Sequence, residues 1–289
     1  MRDRPAFRLK PEILTTSEIQ NRAEKLTLDY AEQVGLDSAR LGISFQVMYE
    51  EVIYPDFGIE LQEGLDLGFD DSGKKIFGRF LPKENVVQID RIISHDHNHP
   101  QRAFTYWHEV GGHGVLQGEW LRRQLKLHGG SGCIATTEDS LSFDVVSALE
   151  RQANVFAARA AAPNWLLYHV VNETMDLTRP IRYVGPSKYS LQIRGRTETV
   201  TVKSFEHLCW IIGKRIQFRF GWLSAEALGY RIAETSMVKD ALHNFGSDSM
   251  HSCVNNLHIT RTWCESTCPL NVFSDYLFTK YLPFASTWK

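Results

Sequence analysis

The sequence has few of the features that mark secreted or membrane proteins. Five cysteines among 289 residues are too few, and odd in number, for a disulfide framework. No run approaches the roughly 18 consecutive apolar residues of a membrane span. The charged N-terminus leads into no apolar stretch of the kind found in a secretory signal. We therefore expect a cytoplasmic protein that makes no membrane contact.

An excess of charge of one sign is also missing. The 32 Lys and Arg residues against 34 Asp and Glu residues leave a formal net charge of −2, so bulk electrostatics do not favour a nucleic acid partner. Hydrophobic residues make up 43% of the chain, which suffices for a sizeable core. We predict a domain at 1–165, a second at 166–245, and a C-terminal segment at 246–289 that is aromatic, carries cysteines and has no assigned role.

The first 90 residues predict one helix followed by a small sheet. A capping box begins at Thr15, and the apolar residues after it have helical spacing until Gly35. Short runs of Val, Ile and Phe then predict strands. A short helix is expected at 49–54, and the strands are placed at 43–48, 58–61, 76–80 and 86–89.

The remaining pattern is mainly helical. Helices are predicted at 101–117 and at 140–161, where Pro163 ends the second one. Strand-like runs follow at 189–194 and 198–203, and helices at 204–220 and 224–242. The fold class is therefore α+β.

Residues 108–113 read His-Glu-Val-Gly-Gly-His and suggest a metal site. Zinc peptidases bind Zn²⁺ with two histidines on one helical face, and the glutamate after the first histidine takes a proton from the bound water. The usual motif has two residues between glutamate and histidine, whereas here there are three. The alternative is that His108 and His113 are unrelated core or surface histidines.

The extra residue has a geometric consequence. At ~100° per residue, side chains four positions apart differ by ~40° in direction, whereas those five apart differ by ~140°. A π-bulge would restore the shared face, because its i→i+5 turn absorbs one residue. Zinc dipeptidyl peptidases contain a comparably lengthened motif. We expect the distortion at Gly111 and Gly112, since glycine tolerates unusual backbone angles and leaves no Cβ to clash.

A catalytic zinc usually has three protein ligands, so a third is expected downstream. Glu150 is favoured because small residues follow it at helical spacing and would let two helices approach closely. Glu119 is the rival, although Gly118 predicts a helix end beside it. The full set of candidates is Glu119, Glu138, Asp139, Asp144 and Glu150.

Two runs of sequence resemble the ImmA/IrrE family of zinc metallopeptidases. Residues 102–113 and 150–159, with Pro163 after them, are similar to the family pattern R-x-x-F-T-x-A-H-E-[LI]-G-H followed by E-x-x-A-N-x-F-A-A and a proline. The strand expected at 86–90 also lies where the family has one. The likeness covers about residues 16–165. This chain departs from the pattern by one inserted glycine.

The resemblance implies a zincin-like metallopeptidase domain and a role for each site residue. His108, His113 and Glu150 would bind one catalytic Zn²⁺, and Glu109 would act as general base. The substrate would be a repressor or other regulator protein. A weaker likeness at 218–231 implies that the following helical domain is helix-turn-helix-like.

Two other functions stay open. A catalytically silent relative would act as a protein-binding module through its C-terminal half. A DNA-binding regulator would instead use the helices at 204–242, where Lys214, Arg215 and Arg219 form a basic face. We favour a solvated face for these three residues.

Other polar clusters carry weaker signals. The donor that stabilises the anionic intermediate is unidentified, with Tyr106 and His128 as candidates. The loop 128–132 lacks a phosphate-binding sequence, so we expect it to border the cleft. Alternating histidines at 95–99 are interpreted as a polar loop. His251, Cys253, Cys264 and Cys268 could form a structural zinc site, but we favour buried thiols there.

Overall fold

The computed structural model of the chain describes residues 13–70, 73–97, 99, 101–128, 143–175, 180–220 and 223–242, of which 127–128 and 143–145 are described by their backbone alone. Several predictions from the sequence lie outside this part. They concern the greater part of the loop 128–132, the side chains of His128, Glu138, Asp139 and Asp144, and the cysteine and histidine cluster at 251–268.

The described part is a mixed α+β structure, as the sequence predicts. Its N-terminal elements are α1 (Thr16–Val34), α2 (Leu36–Arg40), α3 (Phe45–Met48), π1 (Tyr49–Ile53), α4 (Tyr54–Phe57), β1 (Glu60–Leu65), β2 (Gly78–Leu81), β3 (Val86–Asp90), α5 (Arg91–His95), α6 (Arg102–Tyr106), π2 (Trp107–Leu116) and α7 (Gly118–His128). The elements after these are α8 (Phe143–Ala161), α9 (Asn164–Met175), β4 (Ile181–Tyr183), β5 (Ser187–Ile193), β6 (Arg196–Val202), α10 (Phe205–Ile216), a 3₁₀ turn (Gln217–Arg219), α11 (Ala225–Ala233) and β7 (Val238–Asp240).

Helix α1 begins as its capping box predicts. The Thr15 hydroxyl accepts a hydrogen bond from the Glu18 N–H at 3.2 Å, and the Glu18 carboxylate accepts one from the Thr15 N–H at 2.7 Å. These bonds satisfy two N–H groups that the first helical turn leaves without partners. The apolar face of α1 is buried and packs against α8, the helix that carries Glu150.

Three strands form the sheet beside the site. Their order is β1-β3-β2, with β3 parallel to β1 and antiparallel to β2. The central strand β3 buries Val86, Val87 and Ile89, as expected of a strand covered on both faces. The strand predicted at 86–89 is confirmed, whereas those predicted at 58–61 and 76–80 are present but begin two residues later, at Glu60 and Gly78.

The prediction of a strand at 43–48 is wrong. Ser44 caps helix α3, and its hydroxyl accepts a hydrogen bond from the Val47 N–H at 3.4 Å. The helix continues through π1 and α4 to Gly58, whose φ of 59° ends it. A short apolar run satisfies both helical and strand periodicity, so the hydroxyl cap decides between them.

The second half contains a further helix, a hairpin and a pair of helices. Helix α9 spans the predicted domain boundary between residues 165 and 166, and that division stays a prediction. Strands β5 and β6 pair across a tight turn at Arg194 and Gly195, both with positive φ, as this hairpin type requires. The helix predicted at 224–242 ends at Ala233. The prediction is wrong beyond that residue, where β7 pairs with β4.

One continuous set of buried apolar side chains runs from Ile19 to Val238. Within the described residues, no helix has the length and apolar character needed to cross a membrane.

Candidate metal centre

The helix that carries His108, Glu109 and His113 winds as a π-helix over ten residues, Trp107–Leu116. The π geometry that the lengthened motif predicts is therefore present. It extends well beyond a single turn, which is unusual because most π-helical segments are single-turn bulges.

Of the two reasons expected for the glycines, the packing supports the lack of a Cβ atom. Gly111 and Gly112 do not have positive φ, so a left-handed backbone does not explain them. A Cβ atom on Gly112 would lie 2.6 Å from Ala153 Cα, and one on Gly111 would lie 2.9 Å from the Phe156 ring. The glycines are needed because α8 packs directly against π2.

This close approach brings three ligand atoms together. His108 Nε2 lies 3.1 Å from His113 Nε2, and Glu150 contacts both rings, with Oε2 3.2 Å from His108 Nε2 and Oε1 3.2 Å from His113 Nε2. Among the described residues, these three form the group of histidine, cysteine or acidic side chains that could hold a metal ion.

The spacing of the three residues suits a small tetrahedral ion. Ligand atoms about 2.0–2.1 Å from a tetrahedral zinc lie about 3.3 Å from one another, close to the 3.1 to 3.2 Å observed here. Two imidazoles and one carboxylate are also a donor set that zinc accepts in catalytic sites.

The His113 ring is held by a further side chain, Gln117. Its amide nitrogen donates to the Leu149 carbonyl at 2.7 Å, so its amide oxygen is the atom that lies 2.9 Å from His113 Nδ1. That oxygen can only accept, and His113 Nδ1 must therefore carry a proton. The lone pair of the neutral ring is then on Nε2, which faces His108 and Glu150.

Electrostatics in the cluster favour positive charge. Burial lowers the pKa of His113, but the Glu150 carboxylate outweighs it and raises that pKa to about 9. Burial alone would raise the pKa of Glu150, whereas His113 and His108 hold it well below its usual range. The site therefore stabilises either a proton on His113 or a metal cation in its place.

Glu109 lies beside this cluster in a buried position. It is 9% exposed, and burial raises its pKa although His108 and His113 act in the opposite direction. The first residue of β2 packs on its side chain, because a Cβ atom on Gly78 would lie 2.6 Å from Glu109 Cγ. A carboxylate with a raised pKa is suited to accept and release a proton near neutral pH.

Glu150 is the most exposed member of the cluster. The His113 side chain is 4% exposed and that of His108 12%, but that of Glu150 is 36% exposed.

Other residues considered from the sequence lie elsewhere or have other contacts. Glu119 is exposed and pairs with Arg123. The Tyr106 hydroxyl donates to Glu63, and Lys214 lies over the Trp210 ring. Arg215 pairs with Glu198, and Arg219 with Glu173.

Reasoning from sequence missed Gln117 and Gly78. Gln117 follows His113 at helical spacing, which is a usable signal for a side chain that touches the ring. Gly78 has no such signal, since only the packing of β2 against π2 brings it to Glu109.

No protein-family model matches the chain, and no curated protein matches it. Three chains of solved structures do. One is a Mycobacterium tuberculosis transcriptional regulator with 17% identity and a TM-score of 0.32, and the match covers 75% of this chain and 52% of that one. This chain thus spans about half the length of that regulator, and the likeness is distant.

Proposed function

We propose that the protein is a zinc-dependent endopeptidase. In this proposal His108, His113 and Glu150 hold the Zn²⁺ ion and Glu109 is the general base. The substrate is a cytoplasmic regulator or repressor protein. The packing of the elements supports a zincin-like domain, since π2 contacts both the sheet and α8, the other helix that carries a ligand.

One observation carries the proposal. The two histidines are five positions apart in the chain, yet their Nε2 atoms lie 3.1 Å apart and both contact Glu150. A regular α-helix would direct the two rings ~140° apart, so the π-helix is what allows a shared ligand. The donor set and spacing then fit zinc.

A bound zinc ion would polarise a peptide carbonyl and lower the pKa of a coordinated water molecule. The chain itself supplies the proton transfers. The Glu109 carboxylate accepts a proton from the attacking water and delivers it to the leaving amine nitrogen, so the base returns to its starting state. Its raised pKa makes the carboxylate a stronger base for the first transfer.

The choice of a regulator protein as substrate rests on the sequence resemblance to ImmA/IrrE peptidases. The same resemblance supports the helix-turn-helix-like assignment of the region that contains α10 and α11. DNA binding by these helices is a separate proposal, and binding that weakens steeply with salt would support it.

The first test is the zinc content of purified protein, measured by elemental analysis. We expect about one zinc per chain in wild type and in Glu109→Gln, and a loss of zinc in His113→Ala and in Glu150→Ala. Glu119→Ala is the matched control, because it removes an exposed carboxylate near the same helix, and it should keep its zinc.

The results separate the competing functions. Wild-type protein without zinc, or unchanged zinc in both ligand variants, would contradict the site. If zinc is present, cleavage of helix-turn-helix regulator proteins by wild type and not by Glu109→Gln supports a peptidase. Zinc binding without cleavage by either protein would favour the silent binding module.

A further inference from the structure

Gln117 joins the two helices that carry the ligands. It follows π2, where His113 lies, and its amide nitrogen donates to the carbonyl of Leu149 at 2.7 Å. Leu149 directly precedes Glu150 in α8. One buried amide, 4% exposed, therefore contacts a ligand from one helix and the backbone next to a ligand from the other.

The two hydrogen bonds of Gln117 determine which atom of its amide faces His113. Because the nitrogen is occupied by Leu149, the oxygen must accept from His113 Nδ1 at 2.9 Å. An acceptor at Nδ1 fixes the ring orientation, makes Nε2 the lone-pair nitrogen of the neutral ring and makes the ring a stronger ligand.

The surroundings leave the amide few other polar partners. Leu14, Leu116, Trp120, Leu149 and Gln152 line a small cavity with Gln117. A buried amide that lost its hydrogen bonds in this mainly apolar setting would be costly. The amide is thus held in the one orientation that serves His113.

We infer that Gln117 is a positioning residue for the metal centre, which presents His113 Nε2 to the cation and sets its distance from Glu150. This inference rests on the proposed function, because it assumes that the cluster binds a metal. It assigns Gln117 a role in metal affinity in addition to any role in stability.

Cobalt(II) is the probe, because its visible absorption reports the geometry of the ligands. We expect Gln117→Met, which removes both hydrogen bonds at similar size, to weaken Co²⁺ binding by about 10–100-fold and to change the absorption bands. Gln117→Glu keeps an acceptor for His113 Nδ1 but loses the donor to the Leu149 carbonyl, so it should restore only part of the affinity. If Gln117→Met does not fold, Gln117→Asn, whose amide is too short to reach both partners, replaces it with the same expectation.

Gln217→Met is the matched control, since Gln217 also donates an amide hydrogen bond to a backbone carbonyl, that of Leu223 at 3.0 Å. It should leave Co²⁺ affinity and spectrum unchanged. A merely structural role would lower the melting temperature of the Gln117 variants while affinity and spectrum stay as in wild type, and that result would overturn the inference. Wild-type protein that binds no Co²⁺ would overturn the proposed function as well, so the two failures are distinguishable.

Discussion

Helix α8 carries two buried clusters of charged groups, and they differ in composition. Near its start, Glu150 contacts His108 and His113. In its last turn, Arg159 lies 3.2 Å from Glu234, a residue just beyond α11. Both clusters join α8 to another helix, but their chemistry is not the same.

The Arg159 cluster pairs cationic groups with a carboxylate. Arg231 also pairs with Glu234, and it donates to the Ala162 carbonyl at 3.1 Å and to the Asn164 side chain at 3.0 Å. Burial would raise the pKa of Glu234, but the two guanidinium groups lower it. Protein groups of opposite sign therefore stabilise one another.

The cluster at Glu150 consists of groups that bind cations. Two imidazole nitrogens and a carboxylate face one another, so a proton or a metal ion must supply positive charge. Burial of charge alone therefore does not mark a functional site. An excess of lone pairs directed at one point is what marks such a site.

The largest effect should come from breaking the Arg159 cluster. Glu234→Ala leaves two guanidinium groups buried without their carboxylate, and we expect the free energy of unfolding to fall by about 3 kcal/mol. Urea unfolding measures it. Glu198→Ala, which removes the exposed pair with Arg215, should cost less than about 1 kcal/mol. The zinc content of folded Glu234→Ala should be that of wild type, and a parallel loss of zinc would show that the two clusters are not independent.

The second prediction concerns metal removal. Zinc at a free concentration about 100 times its dissociation constant should raise the free energy of unfolding by about 2.7 kcal/mol, because it binds the folded chain alone. Thermal unfolding with zinc and with chelator measures this gain. Glu234→Ala should keep the gain and His113→Ala should lose it. An equal gain in His113→Ala would mean that zinc binds elsewhere.

The third prediction compares two close helix contacts. Gly112→Ala places a Cβ atom 2.6 Å from Ala153 Cα, and Gly213→Ala places one 2.6 Å from the Ala225 carbonyl oxygen. Each should cost about 1–3 kcal/mol in unfolding experiments, since one of the two backbones must shift. The first should also weaken zinc binding because it moves α8 from π2, whereas the second should not. Equal zinc affinity in both variants would contradict this coupling.

Per pH unit, the smallest effect is the pH dependence of metal binding. Glu150 raises the pKa of His113 from 6.5 to about 9, so the His113 proton stabilises the metal-free fold fully below pH 6.5 and this contribution is lost as pH rises through about 9. Zinc must displace that proton, so apparent affinity should rise by about tenfold per pH unit and level off near pH 9. Chelator competition at several pH values measures it. Glu234→Ala should show the same profile, and a flat wild-type profile would contradict the assignment.

Much of the local structure could be predicted from sequence because it depends on neighbours along the chain. The capping box at Thr15 and the strand at 86–90 are examples. The structure at 43–48 could not be predicted in this way, because the Ser44 hydroxyl cap outweighs an ambiguous apolar pattern. The prediction of a helix beyond Ala233 is also wrong, because β7 pairs with β4, which lies more than 50 residues earlier in the chain.

For the site, the sequence by itself determined which residue types are present and that their spacing requires a π-helical turn. A lengthened His-Glu motif carries that information in its own residues. The sequence left Glu119 and Glu150 as rivals, and the tertiary structure decided between them. Helix α8 packs on π2 and places Glu150 against both rings, whereas Glu119 pairs with Arg123. The tertiary structure also decided the role of Gln117, the position of Gly78 against Glu109, and the Arg159 cluster. Apart from the Gln117–His113 contact, which follows helical spacing, each of these depends on contacts between elements distant in the chain, and no local pattern encodes such contacts.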